Sequence, residues 1–390
     1  MKRFSIILLG ALAIVMAGCS KNIEPTSPDP DAWMHDASLP VPVLFSTGSQ
    51  PMTKATAIDA AADMVGKDFG FFAFHQNMAS WGSSSGNTFA DNGIVGWKQN
   101  LKGTIATVPA TGNVQFTFDD GPYYYPQSSV NNYTFYGYHA HVLDEEVRPQ
   151  SGSVSVVVAL GHNDILWAKA AAEDITDAEG TTYQGFNARY IRKSLENGAV
   201  QHPLMAFEHL TSAVSFSAKT DKSVFAEENP GKDIVTINKI SILNTNLKAN
   251  LCIAHKTDES KEGTLAERTS DIGAIDSGNI TVQLDETPKP LIGQNNYFFI
   301  MPTEEGEGIT VQLDYTVDSG EGKVITSSST YELKPEVQKG DMAGKVGFFA
   351  GYRYDYNFIV YTPERIVIEA TVEPYEEAFN GPVDVLPKDE

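Results

Sequence analysis

Three groups of residues in this chain have the types and spacing for chemistry. The first is a thiol. Cys19 closes the run Leu12-Ala-Ile-Val-Met-Ala-Gly-Cys19, and the polar Ser20-Lys-Asn22 follows at once. Lys2 and Arg3 precede an almost unbroken apolar stretch from Phe4 to Met16, and the small pair Ala17-Gly18 comes next. That is the order of a secretory signal with its cleavage site, and the stretch is too short for a stop-transfer helix across a bilayer of about 30 Å. Residues 1–18 therefore read as an export signal, cleaved between Gly18 and Cys19. A chance cysteine behind an ordinary signal is the alternative. The second group is Gly82-Ser-Ser-Ser-Gly86, which fits the expression of a nucleophile elbow around Ser84. An elbow needs a strand before it and a helix after it. The continuation Asn87-Thr-Phe-Ala-Asp-Asn-Gly93 is instead loop chemistry. The third group is His139 and His141, two apart, which on a strand would share a face and could share a metal. No third ligand stands at a usual spacing, although Asp144 is near, and two histidines on a solvent face are the simpler account.

No H-E-x-x-H, C-x-x-C, phosphate-binding loop or dinucleotide fingerprint occurs. Asp29-Pro-Asp31 lacks the glycine and the distant glutamate of a calcium loop. The expectation is no enzyme, no cofactor and no metal site. Composition narrows the partners. Lys2 and Arg3 leave with the signal, so 26 of the 28 basic residues face 50 acidic ones, a net charge of −24. Such an acidic surface argues against nucleic acid. Cys252 is the only other cysteine; it lies in the apolar run Asn250-Leu-Cys-Ile-Ala254 and reads as a buried small hydrophobe.

The elements that must position these residues are strands. Residues 19–40 are rich in Pro, Ser and Asp and read as an extended tether. Beyond them the apolar period is two: Val114-Gln-Phe-Thr-Phe118 stops at Asp119-Asp-Gly-Pro122, Ile309 to Val317 alternates, Tyr352, Tyr354, Tyr356, Phe358 and Val360 line one strand face, and Ile366, Ile368, Ala370 and Val372 the next. Helical patterns are few, a short one over Ala57 to Val65 and one over Asn187 to Asn197 that ends at Gly198. The fold class is all-β, antiparallel sandwiches or barrels with a few short helices. Asn197-Gly-Ala-Val-Gln-His-Pro203 is the best boundary, giving domains near 41–200 and 205–390. Tyr123-Tyr-Tyr-Pro126 could offer exposed rings to a glycan or protein partner, or fill a core.

Several stretches together resemble a family, the fimbrillin-like lipoproteins that form type V pili of Bacteroidales. The run into Cys19 resembles the bacterial lipobox, with Met16 where Leu is usual. Val41-Pro-Val-Leu-Phe45 with Thr53-Lys-Ala55 comes next, followed by Tyr123-Tyr-Tyr-Pro126, Tyr133-Thr-Phe-Tyr-Gly-Tyr138, Asp164-Ile-Leu-Trp-Ala168, Phe207 to Phe216 and Gly351-Tyr-Arg-Tyr-Asp-Tyr356. These lie in the expected order over nearly the whole chain. Near the end, Val372-Glu-Pro-Tyr375 has Tyr where Trp is expected.

The resemblance implies two transthyretin-like β-sandwich domains and a fimbrial subunit, stalk or tip, that other subunits join by donor-strand exchange. It implies acylation of Cys19, and so an anchor in the outer membrane before processing and an extracellular fimbrium after it. Many such subunits are cut after a basic residue behind the first strand, which opens a groove for a neighbour's strand. Lys54, before Ala55, occupies that place, where the family commonly has Arg. The tail Phe379-Asn-Gly-Pro-Val-Asp-Val-Leu-Pro387 offers Val383 and Val385 as a candidate donor strand. The alternative function is a surface-anchored adhesin or glycan-binding lipoprotein that does not polymerise.

Overall fold

A computed structural model describes residues 31–47, 61–75, 89, 91–108, 114–127, 131–143, 147–150, 152–198, 200–221, 234–293, 297–318, 324–362 and 365–374. Gly18, Cys19, Lys54, Ala55, the Ser84 loop, Val383 and Val385 lie outside them. The chain forms two compact units, residues 1–39 and 40–390. In the first, one helical turn, Ala32–His35, interrupts what composition marks as an extended tether, and Asp36 accepts hydrogen bonds from the Ser38 amide and hydroxyl at 2.8 and 2.6 Å.

In the larger unit β1 (Phe69–His75) is apolar at nearly every position, which is the pattern of a strand covered on both faces. It pairs on one side with β2 (Leu101–Thr104) and on the other with β3 (Tyr133–His139), and β3 pairs with β5 (Leu166–Ala170). The sheet ends at Thr117–Phe118 beyond β2 and at Glu208–His209 beyond β5. A second sheet packs on it: β4 (Ser153–Ala159) pairs with β8 (Lys248–His255), and β8 with β9 (Thr264–Glu267). Phe72, Phe74, Tyr136 and Tyr138 from the first sheet meet Val154, Val156, Val158, Leu251 and Ile253 from the second. β8 and β9 come from beyond residue 205, so this core draws on both sides of the 197–203 segment.

A second pair of sheets encloses the other core. One holds β6 (Ser212–Thr220), β12 (Tyr352–Thr362) and β13 (Arg365–Pro374); the other holds β7 (Ile234–Asn246), β10 (Ile309–Asp318) and β11 (Val324–Leu333). These named strands pair antiparallel except β6 with β12, which run parallel. A long stretch of chain separates those two, so no hairpin dictates their direction. Alternate residues of β12, Tyr354, Tyr356, Phe358 and Val360, face Ile237, Ile240, Leu313 and Tyr315 across the core. The molecule is all-β.

The helix expected over Asn187 to Asn197 is α1 (Ala188–Glu196). The Asn187 side chain caps it by accepting from the Tyr190 amide, and Gly198 takes the left-handed conformation behind it. Of the other helical pattern, Ala61–Met64 forms a single 3-10 turn.

Candidate functional site

The chain from Val41 to Thr47 is held extended by Pro40, Pro42 and β-branched valines. Its backbone is bonded on both sides. Toward residues 114–125, Tyr125 donates its amide to the Val41 carbonyl (2.9 Å), Val43 donates to Tyr123 (2.8 Å) and Phe116 donates to Phe45 (3.0 Å). Toward residues 203–205, Ser46 donates to Pro203 (3.1 Å) and Met205 donates to Ser46 (2.8 Å). Ser46 and Thr47 also pair antiparallel with Gln115 and Val114. The segment is thus a central strand, laid in a slot.

Its alternate side chains Val41, Val43, Phe45 and Thr47 are fully buried. The Phe45 ring meets four others: Phe135 at 4.9 Å, Phe71 at 5.1 Å, Phe118 at 5.6 Å and Trp97 at 6.0 Å between centroids. These rings cover the face of β1 and β3 opposite the first core, which explains why β1 is apolar throughout. Gly137 on β3 leaves room there, since a β-carbon would stand 3.1 Å from the Phe207 ring and 3.2 Å from Phe71.

Tyr123 and Tyr125 belong to the walls of this slot and are buried, and of the three consecutive tyrosines only Tyr124 is exposed. Burial pushes the Tyr125 phenol well above its usual range, with Tyr133 adding to it. His202 stands one residue from Pro203, and burial pulls its imidazole down to about 4. Among the described residues the slot is lined by backbone and by buried aromatic and aliphatic side chains. It offers strand pairing and apolar insertion, the chemistry of β-augmentation. Lys54 stands seven positions beyond Thr47 in sequence, outside the described residues, as do Cys19 and the tail valines.

The two histidines two apart do not lie on one strand. His139 is the last residue of β3, with Nδ1 2.8 Å from the Asp68 carbonyl, and burial lowers its pKa, whereas His141 lies past the strand end and is exposed. The strand stops two residues short of His141, so the period-two argument does not reach it. Among the described residues no group of three or more His, Cys, Asp or Glu could hold a metal ion. Among them too, no helix is long and apolar enough to cross a membrane. Cys252 is half-buried rather than buried, because it points to the outer face of β8 while Leu251 and Ile253 fill the core.

Two polar networks went unread in the sequence because their members are far apart in it. Glu262, buried, accepts from the Tyr136 hydroxyl (2.8 Å) and the His255 amide (2.9 Å) and is bridged to Lys169 at 2.8 Å. This group lines a cavity of about 390 Å³. Asp164, fully buried, pairs with His209 at 2.8 Å and accepts from Thr211 at 3.0 Å. Burial raises its carboxyl, but His209 and Thr211 outweigh that and hold it below the usual range. The stretches Asp164 to Ala168 and Phe207 to Phe216 carry these residues, but only the fold brings them together.

The described backbone can be compared with solved structures. A putative cell adhesion protein from Bacteroides uniformis matches with a TM-score of 0.46 and 16% identity, over 86% of this chain and 99% of that one. A fimbrial anchor protein from Porphyromonas gingivalis matches with a TM-score of 0.35 and 10% identity, over 86% and 98%. A tip fimbrial protein from the same organism, truncated at its C-terminus, matches with a TM-score of 0.33 and 8% identity, over 85% and 99%. Comparison with curated proteins finds no match. The model of the fimbrillin-like family matches residues 81–374. That match runs through both sandwich cores and most of the chain, and the protein belongs to the fimbrillin-like family.

Proposed function

We propose that this protein is a structural subunit, stalk or tip, of a cell-surface fimbrium, exported as a lipoprotein anchored in the outer membrane through Cys19 and assembled by strand exchange with other subunits. The proposal divides it into two sandwich domains, the first holding the slot for residues 41–47. Cleavage between Lys54 and Ala55 cuts the connection between that strand and the body, and the strand leaves with the lipid. A neighbour's segment, with Val383 and Val385 as candidate inserts, then takes the same backbone partners. The carrying observation is the seating of Val41–Thr47: a segment that precedes Lys54 in sequence supplies both a central strand and four inserted side chains.

Limited trypsin treatment of the purified mature protein tests the reading. Ladders that resist sodium dodecyl sulfate are expected from the wild type and not from Lys54→Ala, while truncation after Asn380 leaves monomers that fold and are exported. Persistent monomers from the cut wild type would refute strand exchange and favour the non-polymerising adhesin. Cys19→Ser abolishes lipid labelling in this scheme; unchanged detergent partitioning of that variant would remove the anchor.

A further inference from the structure

We infer that the outer edge of β11 is a second assembly surface, distinct from the slot, on which two copies of the protein join by antiparallel pairing of β11 with itself about a two-fold axis at Ser328.

An unpaired strand edge is a template for another strand, and folded proteins blunt such edges with charges, prolines, bulges or brevity. Most of the edges among the described residues are managed in those ways; Ile272–Asp276, the opposite edge of the sheet that holds β11, is only five residues long, contains Gly273 and pairs with β7 across a register shift. β13 carries Arg365, Glu369 and Glu373 and ends on Pro374. Lys289–Pro290 and Pro149–Gln150 are two residues long with a proline, Thr117–Phe118 and Glu208–His209 are equally short, and β9 spans only four residues. β11 differs in all respects. Its ten residues, Val-Ile-Thr-Ser-Ser-Ser-Thr-Tyr-Glu-Leu, pair with β10 without a register shift from Asp318↔Val324 to Ile309↔Leu333. Among the described residues nothing pairs with its other side. It contains no proline, glycine or lysine, and Glu332, its single charge, is bridged to Lys334 at 2.8 Å. Val324 and Ile325 are 58% and 44% exposed.

The sequence of this edge fits its own reverse. In antiparallel register about Ser328, Val324 lies opposite Glu332, Ile325 opposite Tyr331, Thr326 opposite Thr330, and Ser327 opposite Ser329. No like charges are opposed. The aliphatic–aromatic pair Ile325/Tyr331 occurs twice by symmetry on the core-facing side, continuing a surface on which Tyr331 already packs. Thr–Thr pairs flank the axis on the other side. A nine-residue ladder adds roughly eight to ten backbone hydrogen bonds. The contact is isologous and closes on itself, so it pairs two subunits without propagating. One such edge is small and holds isolated subunits only weakly, but filaments carrying it in series are held by avidity.

Only the residue on the axis meets its own copy, and this gives the test. The full chain with Cys19→Ser and Cys252→Ser removes both native thiols. In that background Ser328→Cys should form a disulfide dimer under mild oxidation, at least about tenfold faster than Thr330→Cys, whose copies would stand roughly 14 Å apart. Thr326→Cys with Thr330→Cys should crosslink again. Thr326→Lys with Thr330→Lys, which sets four cations side by side, should abolish the dimer seen by sedimentation at about 100 μM without changing the circular dichroism. A wild type that stays monomeric at that concentration, or equal crosslinking of the Ser328 and Thr330 variants, overturns the inference.

Discussion

Phe45→Ala in the uncut chain is the sharpest probe of the slot. The ring is fully buried and lies within 4.9 to 6.0 Å of four other rings. An aromatic side chain buries about 150–250 Å², and at about 25 cal/mol per Å² the transfer term is roughly 4–6 kcal/mol. The extended-chain reference makes that an upper figure, and alanine retains the β-carbon, so the expected loss is about 3–5 kcal/mol, in line with measured Phe-to-Ala costs. The loss should be local before it is global. Val43 and Ser46 donate their amides across the slot, so their hydrogen exchange should accelerate in the variant while amides of β10 and β12, in the other core, stay protected. Cutting after Lys54 and stripping the fragment in denaturant gives a baseline free of the strand. Phe45→Ala should close much of the gap between uncut and stripped protein. A cost below about 1 kcal/mol, or exchange that accelerates equally in both cores, would refute the idea that Phe45 anchors an independently removable strand.

Three further outcomes follow from the geometry. Gly263 sits at φ +64° with the Trp167 ring 2.6 Å from where a β-carbon would be, so Gly263→Ala should cost roughly 1–3 kcal/mol and change the tryptophan emission; unchanged emission with unchanged stability would contradict the packing. Lys169→Met leaves the buried Glu262 short of its cation and should cost about 3 kcal/mol, while Lys169→Met with Glu262→Gln should cost less than the sum of the single changes; strict additivity in the double-mutant cycle would show the pair to be uncoupled. His202, His75 and His139 are all lowered by burial, His202 to about 4. Their unfolded forms take up protons first, so stability is full above about pH 6.5 and falls as pH drops toward 4, by about 1.4 kcal/mol per pH unit for His202 alone. His202→Asn should flatten the dependence of the melting temperature on pH in that window, and an unaltered slope would refute the assignment.

The strands were legible because burial on one face leaves a period of two in the sequence: β10 and β12 stand where Ile309 to Val317 and Tyr352 to Val360 alternate. α1 was legible from Gly198, since a left-handed residue behind a helix leaves a compositional mark. Partnership left no such mark. Nothing local in Lys248 to His255 says that it pairs with Ser153 to Ala159, across the segment that composition marks as a boundary. Val114 to Phe118 reads as one strand, yet it forms two short ones with Phe116 between them, because it serves residues 45–47 on one side and β2 on the other. His139 and His141 were misread for a related reason: period two fixes a face only while the strand lasts.

If subunits exchange strands as proposed, the slot divides what an incoming sequence must supply. What residues 41–47 contribute is half backbone and half side chain. The backbone half, five hydrogen bonds to Val41, Val43, Phe45 and Ser46 together with the pairing of Ser46 and Thr47 with Gln115 and Val114, could be reproduced by any extended segment without a misplaced proline. The side-chain half is particular: two valines, a phenylalanine and a threonine at alternate positions, the phenylalanine among four rings. A replacement strand bearing only Val383 and Val385 would satisfy the valine positions and leave the Phe45 site empty, a cavity costing several kcal/mol. Strand exchange with that tail is therefore downhill only if another residue of the incoming segment enters the aromatic site or the ring cluster collapses around it. A tail peptide carrying an added phenylalanine in register with Phe45 should accordingly displace residues 41–47 from the cut subunit more completely than the natural tail, and equal displacement by the two peptides would show that the backbone ladder alone decides the exchange.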